Sequence, residues 1–315
     1  MKQLLTQLFV AVILLVVFLM GVDRFIRTFI PLYNEKTIEQ LQSLTPESKS
    51  IIFVGTSRTQ CAVLSDSLAK VYPNHTLINA GIPGIGFFQM EFVLRFLNSL
   101  PGKKMFVLEL MPDIRMENPA LMFLIHKLNI PHGYASLAKI NHQPSHPLFL
   151  FYWKLKSFMS WQFTQLFMLQ HWLELQFGFN RNRIDTCYIG YQYTELNTYR
   201  SLETLLNKTR LDSVSNKTVN DSLKQAVHGL IRSENDSTRY VFVLPYITHL
   251  PDEYVITVPV FNSLDSAHAW HFSEADFASF RNPNYLMNAN HFNYTGAKVY
   301  TAWVKRRLED CSFLP

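Results

Sequence analysis

Three short apolar runs separated by helical patterns constrain most strongly what this chain can fold into. The runs are Lys49–Gly55, Thr76–Gly81 and Met105–Leu110, and helical patterns cover Gln60–Tyr72 and Gly86–Leu100 between them. A run that is apolar almost throughout is typical of a strand buried on both faces of a parallel sheet. The β-α-β-α-β order therefore predicts an α/β fold, a flavodoxin-like three-layer sandwich with a mostly parallel sheet and right-handed crossovers.

The alternation resumes only near the C-terminus. A helical pattern covers Asn220–Ser233, a fourth strand is expected at Tyr240–Leu244, Tyr254–Val258 is a candidate fifth strand, and Thr295–Leu308 is a closing helix. The third and fourth strands are about 130 residues apart, which is far more than a crossover requires. We therefore expect a large helical insertion at about 115–215.

That insertion is rich in aromatic residues. Its longest charge-free run, Ser157–Leu173, contains three glutamines and a histidine, so a second membrane span is not expected there. Its apolar residues recur at helical spacing, which fits either a helix that covers the core or a helix on a membrane surface.

The N-terminus carries a second strong constraint. No side chain between Gln3 and Val22 is ionisable, and 20 helical residues span about 30 Å, the thickness of a bilayer's hydrocarbon core. The run ends without a small-residue cleavage site, so we expect an uncleaved, single-pass transmembrane anchor at 1–22. A polar stalk is expected at 23–48 and the α/β domain at 49–315. Lys2 on one side and two arginines on the other leave the orientation undecided.

Composition excludes other classes of protein. The 29 Lys and Arg residues exceed the 24 Asp and Glu residues by only five among 315 residues, without a dense basic run, so no nucleic-acid partner is expected. The three cysteines are too few for a disulfide framework and are compatible with either side of a membrane.

Candidate catalytic residues follow the first strand directly, in the segment Gly55-Thr56-Ser57-Arg58. Ligand sites in open α/β sheets form at the carboxyl ends of the strands. Ser57 would thus be exposed at the functional edge of the sheet. A structural alternative is that Ser57 only caps the following helix.

A histidine close to the last helix completes the pattern. The segment His291-Phe292-Asn293-Tyr294-Thr295-Gly296-Ala297 precedes and opens that helix, so His291 could reach a serine at the same sheet edge. This order resembles the SGNH/GDSL hydrolase superfamily. It is closest to the membrane-anchored branch that includes the lipoteichoic-acid D-alanylation protein and the alginate O-acetylation proteins, whose last block commonly reads His-hydrophobic-Asn-x-x-Gly-Ala.

The resemblance implies a role for each matched residue. Ser57 would be the nucleophile, and His291 would be the general base that takes its proton. The Gly81 and Ser57 amides would donate hydrogen bonds to the oxyanion of the tetrahedral intermediate. The resemblance assigns the oxyanion loop and pocket to four residues: Gly81, Asn79, Gly84 and Arg58.

The acidic positions depart from the family pattern. Asn288 occupies the place of the acid three residues before His291, and an amide can orient an imidazole but brings no charge. Thr56 also replaces an acid of the first block. Asp265 and Asp276 are candidates for the missing triad acid.

The third block departs as well, since it lacks the asparagine that would donate to the oxyanion. The third strand instead ends near Glu109 and Asp113. Both are candidates for pocket carboxylates, and a solvated or arginine-paired role is an equal alternative.

These features predict a membrane-anchored acyl transferase or esterase with an acyl-serine intermediate. By the resemblance it would act on an extracytoplasmic glycan or another acyl ester, with a membrane-bound acyl-donor protein as a candidate partner. The alternative is a catalytically inactive glycan-binding or assembly protein with the same fold.

Neither a cofactor nor a metal is expected. His268 and His271 have no evident third ligand, and the glycines after the second strand do not follow the G-x-G-x-x-G order.

Overall fold

The computed structural model describes most of the chain outside the aromatic-rich insertion. The described residues are 2–29, 33–112, 118–130, 132–144, 146–155, 217–246, 256–287, 291–311 and 313.

A five-stranded parallel sheet forms the centre of the domain, in the spatial order β2-β1-β3-β4-β5. Its strands are β1 (Lys49–Gly55), β2 (Thr76–Gly81), β3 (Lys103–Glu109), β4 (Thr238–Val243) and β5 (Ala269–Trp270). This 2-1-3-4-5 order is that of flavodoxin-like doubly wound sheets. The predicted α/β class and parallel sheet are therefore confirmed.

The described residues also form helices, and those after the N-terminal one cover the sheet or connect its strands. The helices are α1 (Lys2–Phe29), α2 (Tyr33–Gln42), α3 (Ser57–Ala62), α4 (Ser65–Ala69), α5 (Phe87–Ser99), α6 (Pro119–Lys127), α7 (Gly133–Ile140), α8 (Lys217–Arg232), α9 (Val258–Asn262), α10 (Glu274–Phe280) and α11 (Tyr294–Glu309). A 3₁₀ turn covers Pro283–Tyr285, and residues 147–155 are also helical.

Each face of the sheet packs against its own layer of helices. Side chains alternate between the faces along a strand, so Ile52 and Val54 join one buried cluster while Ile51 and Phe53 join the other. The first cluster includes residues of α2 and α5–α9, and the second includes residues of α3, α4, α10 and α11. Because both faces are covered, the strands are apolar almost throughout, which is the pattern seen in the sequence.

The segment expected to be a stalk belongs partly to the α/β domain. Ile38 and Leu41 of α2, and Leu44 after it, are buried in the first cluster. The Thr37 hydroxyl donates a hydrogen bond of 2.9 Å to the Asn79 carbonyl of β2. The domain therefore begins before Lys49, because the helical spacing of these apolar residues provides a face that packs on the sheet.

The fifth strand lies elsewhere than Tyr254–Val258. In the described part of that segment, residues 256–257 are helical and α9 begins at Val258. Pro259 has no N–H to donate, which suits the first turn of a helix and not a central strand. The two-residue β5 at Ala269–Trp270 takes the edge position beside β4.

The described part of the expected insertion is helical. It comprises α6, α7 and residues 147–155, in which Trp153 is fully buried while Phe151 and Tyr152 are exposed. Ser157–Leu173 lies outside the described residues.

At the N-terminus, α1 is a continuous helix of 28 residues. Within the described part of the chain, no helix combines the length and the apolar character that a membrane crossing requires.

Candidate active site

The first candidate residue, Ser57, lies at the carboxyl end of the inner strand β1. β1 lies between β2 and β3, so the chain leaves β1 at the point where the strand order reverses. Crevices at such switch points are the usual ligand sites of open α/β sheets. Ser57 begins α3 two residues after β1 ends, and this places its side chain at that edge.

Ser57 and His291 meet there. The Nε2 atom of His291 is 2.8 Å from the Ser57 hydroxyl oxygen, although 234 positions separate the two residues in the chain. This distance is within the range of a nucleophile–base hydrogen bond. The structure thus contains the juxtaposition that the sequence predicts.

The turn before Ser57 depends on two residues. The Thr56 side chain caps α3 by accepting a hydrogen bond of 3.1 Å from the Arg58 N–H. Thr56, and not Ser57, is therefore the N-cap, which leaves the Ser57 hydroxyl available for His291. At Gly55, an added Cβ would lie 2.6 Å from the Glu109 side chain, so only glycine permits this close approach.

Arg58 points into the protein. It is 6% exposed, and its Nε donates a hydrogen bond of 2.8 Å to Glu109, which is 2% exposed. Of the alternatives open for Glu109, the structure selects the arginine-paired one. Asp113 lies outside the described residues.

His291 sits on a short loop that aromatic contacts hold in place. Phe292 is fully buried and stacks on Tyr246, with ring centroids 3.8 Å apart. The Tyr246 hydroxyl also accepts a hydrogen bond of 3.2 Å from the Phe292 N–H. Tyr246, just after β4, is thus a site residue that the sequence analysis missed. An aromatic residue directly after a buried strand and Pro245 was the available signal.

The rest of the His291 segment starts the last helix. Asn293 caps α11 by accepting a hydrogen bond of 3.0 Å from the Gly296 N–H. A Cβ at Gly296 would lie 2.2 Å from the Tyr285 carbonyl oxygen and 2.5 Å from the Phe292 ring. In this His-Phe-Asn-x-x-Gly pattern, the phenylalanine anchors the histidine loop by its burial, the asparagine caps α11, and the glycine permits close packing.

One threonine of the last helix connects the two halves of the site. The buried Thr301 hydroxyl accepts a hydrogen bond of 3.0 Å from the Leu64 N–H and donates one of 3.1 Å to the Ala62 carbonyl. These bonds join α11, which follows His291, to the end of α3, which begins with Ser57.

Gly81 and Asn79 support α3 from β2. The Asn79 amide donates hydrogen bonds of 2.8–3.2 Å to three carbonyls of α3 and its C-terminal end. A Cβ at Gly81 would lie 2.5 Å from the Gln60 nitrogen, so glycine lets α3 pack on the strand. The Gly81 N–H, expected to serve the oxyanion, donates instead to the Asn79 side chain at 3.1 Å.

The Ser57 N–H is the remaining expected oxyanion donor. Among the described residues, none accepts a hydrogen bond from it. An uncommitted N–H on the nucleophile itself is a donor that a tetrahedral oxyanion can use.

The loop after β2 forms another wall of this edge. Gly84 has φ of +69°, a left-handed conformation that favours glycine. The buried Asn118 side chain donates a hydrogen bond of 2.9 Å to the Pro83 carbonyl and caps α6 through the Leu121 N–H. The Asn-Pro pair at 118–119 signals such a helix start, but the sequence analysis assigned Asn118 no role.

The candidates for a substitute triad acid are engaged elsewhere. Asp265 lies 2.7 Å from a ring nitrogen of His268, and Asp276 bonds to Ser273 in the capping box of α10. Among the described residues, neither aspartate contacts His291. Asn288 lies outside the described residues.

Burial keeps the tyrosines next to the site neutral. Burial raises the pKa of Tyr246 well above its ordinary value, and nearby Arg58 offsets this only in part. Burial likewise raises the pKa of Tyr300. Both hydroxyls therefore stay neutral and do not act as bases, and that of Tyr246 accepts a hydrogen bond.

The described residues contain no group of three or more His, Cys, Asp or Glu side chains that could hold a metal ion.

A groove of about 710 Å³ lies between α5 and α7, apart from Ser57 and His291, and its lining includes Phe88, Phe92 and Phe96.

No protein-family model, curated protein or solved structure matches this chain.

Proposed function

We propose that this chain is an SGNH-like serine esterase or O-acyltransferase, anchored to a membrane by α1, that acts on acyl groups of an extracytoplasmic glycan. The observation that carries the proposal is the 2.8 Å contact between the Ser57 hydroxyl and His291 Nε2 at the switch point of the sheet. The fold supports it, since a serine after β1 and a histidine before the last helix are the positions that the SGNH resemblance implies.

The first half of the reaction forms an acyl-serine. His291 Nε2 takes the Ser57 proton as the Ser57 oxygen bonds to the acyl carbon, and the Ser57 N–H donates to the resulting oxyanion. The carbon–oxygen bond to the leaving alcohol then breaks, and this alcohol receives the proton from His291. For this role Nε2 must be the unprotonated nitrogen, so Nδ1 carries the ring proton.

The second half decides between hydrolysis and transfer. His291 takes a proton from water or from a sugar hydroxyl, whose oxygen attacks the acyl-serine and releases Ser57. Ser57 then recovers its proton from His291. A bound glycan hydroxyl that excludes water would make the protein a transferase.

The test is hydrolysis of a chromogenic acetyl ester by the full chain in detergent. We expect Ser57→Ala and His291→Ala each to lower kcat by about 10³-fold or more, as removal of a triad member does elsewhere. The matched controls are Ser67→Ala and His126→Ala, which alter exposed side chains away from the site. Addition of a methyl glycoside and mass analysis of the acetylated sugar would separate transfer from hydrolysis.

Absence of turnover in a folded wild-type protein would contradict the proposal. Glycan binding that is equal in the wild type and both site variants would then favour the binding or assembly role.

A further inference from the structure

Glu109 is a buried carboxylate that the proposed chemistry does not use. It ends β3, next to the end of β1, and only 2% of it is exposed. Removal of a carboxylate from water is costly unless charge and hydrogen bonds compensate for it. Its contacts therefore indicate what the residue does.

All of the described donors to Glu109 come from the turn that carries Ser57. Oε2 accepts hydrogen bonds from the Thr56 N–H at 3.0 Å and from the Thr59 N–H and hydroxyl at 3.3 Å and 2.6 Å. Oε1 accepts from the Thr56 hydroxyl at 3.0 Å and from Arg58 Nε at 2.8 Å. One carboxylate thus binds the residues on both sides of Ser57.

These bonds occupy every N–H of the turn except that of the nucleophile. Glu109 takes the Thr56 and Thr59 N–H groups, and Thr56 Oγ1, itself bonded to Glu109, takes the Arg58 N–H. The Ser57 N–H has no acceptor among the described residues. The same network therefore orients the Ser57 hydroxyl toward His291 and leaves its amide for the substrate.

We propose that Glu109 is a positioning residue for Ser57, one that acts through Thr56, Arg58 and Thr59. This inference rests on the proposed function. A site held this closely tolerates little displacement, because a shift of about 1 Å can lower a rate by about 100-fold.

Glu109→Gln is the most direct test. Glutamine has nearly the shape of glutamate, but its amide nitrogen can only donate. In one orientation this nitrogen faces Arg58 Nε, and in the other it faces the Thr56 and Thr59 N–H groups. We expect kcat for the acetyl ester to fall about tenfold to 10³-fold, with KM within about twofold of wild type, because the substrate does not touch Glu109.

A stability control separates positioning from simple destabilisation. Val227 of α8 is fully buried on the opposite face of the sheet from α3. Val227→Ala should lower Tm without lowering kcat at a temperature well below either Tm. If Glu109→Gln loses no more kcat than Val227→Ala, the inference is overturned.

A structural readout keeps this test independent of the proposed activity. If the wild-type chain lacks turnover, the proposed function fails, but the Ser57 Oγ–His291 Nε2 distance in the Glu109→Gln protein still decides. A lengthened contact supports positioning, and an unchanged 2.8 Å contact contradicts it.

If Glu109→Gln does not fold, Thr59→Val, which removes only one hydroxyl donor, takes its place. An unchanged kcat in that variant, or an unchanged Ser57–His291 contact if the wild type lacks turnover, would overturn the inference.

Discussion

At the scale of single residues, the Ser57–His291 contact depends on side chains that take no part in the contact itself. Thr56 caps α3 and so releases Ser57 for its contact with His291. Tyr246 holds the histidine loop by stacking on Phe292 and by accepting its N–H. The Ser57–His291 pair is thus positioned from both sides, by neighbours in the sequence and by buried polar groups.

Tyr246→Phe tests the histidine side. The substitution keeps the aromatic ring but leaves the buried Phe292 N–H without its acceptor. We expect unfolding free energy to fall by about 1–3 kcal/mol, and kcat to fall because the His291 loop loosens. Urea titration and ester hydrolysis measure the two effects.

Tyr300→Phe is its matched control, because the two tyrosine rings lie 5.5 Å apart and no described residue bonds to the Tyr300 hydroxyl. Equal loss of kcat in both variants would contradict a specific role for the Tyr246 hydroxyl.

At the scale of elements, β5 is short and a charged cluster supports its edge position. His268 precedes β5 and lies between Glu234, at 3.1 Å, and Asp265, at 2.7 Å. Glu234 also accepts a hydrogen bond from the Tyr240 N–H in β4. The cluster therefore connects the start of β5 to β4, and both ring nitrogens of His268 are engaged in it.

This cluster predicts a pH-dependent stability. Burial lowers the pKa of His268, but the two carboxylates outweigh it and the pKa is raised overall. The stabilising contribution is therefore complete below the ordinary histidine value of about 6.5 and is lost as pH rises through the raised pKa. We expect the Tm difference between wild type and His268→Gln to be larger near pH 5.5 than near pH 9.

A buffer-matched series with exposed His126→Gln controls for general histidine effects. A Tm difference for His268→Gln that does not change with pH would exclude a charged His268 in the cluster. The effect should also weaken in high salt, because the outer partner, Asp265, is largely exposed.

At the scale of the whole molecule, α1 exposes large apolar side chains. Phe9, Leu14, Val17, Phe18 and Met20 are each more than half exposed. Together with the charge-free stretch Gln3–Val22 they support the proposed membrane attachment.

We expect the full chain to remain in the membrane pellet after alkaline carbonate extraction. Leu14→Arg combined with Val17→Arg should release it, because an arginine at the centre of a membrane helix costs about 2.5–3.5 kcal/mol. Val71→Arg, which alters an exposed apolar residue of the α/β domain, is the control and should leave the distribution unchanged.

Release of the wild-type chain by carbonate would contradict the attachment. Protease treatment of sealed vesicles of known orientation tests the side of the membrane, and protection of the domain in right-side-out vesicles would contradict the extracytoplasmic placement.

Much of the architecture was predictable because buried strands appear in the sequence as apolar runs. Strands covered on both faces must be apolar throughout, so β1, β2, β3 and β4 were recognised with small errors in their ends. The two-residue β5 is too short to give such a run, and Tyr254–Val258 was a wrong candidate because β-branched residues also occur in a short helix with a proline in its first turn. α2 was assigned to a stalk because most of its residues are polar, although one face of the helix, with Ile38 and Leu41, packs in the core.

What the sequence by itself determined is the set of local elements and the chain positions of the two residues that meet, Ser57 and His291. A serine after a strand and a histidine before a helix cap are local patterns, and local backbone preferences and the alternation of buried side chains encode them. The resemblance of their order to the SGNH superfamily is what singled out Ser57 and His291 before the structure was known.

What only the tertiary structure decided is how partners distant in the chain are matched. The pairing of Glu109 with the Ser57 turn, the commitment of the Gly81 N–H to Asn79 and the support of Phe292 by Tyr246 depend on which side chains meet across a packed interior. Buried polar groups must find partners, but nothing local to each group specifies which partner is within reach. Only the folded geometry, with distances near 3 Å, makes that selection.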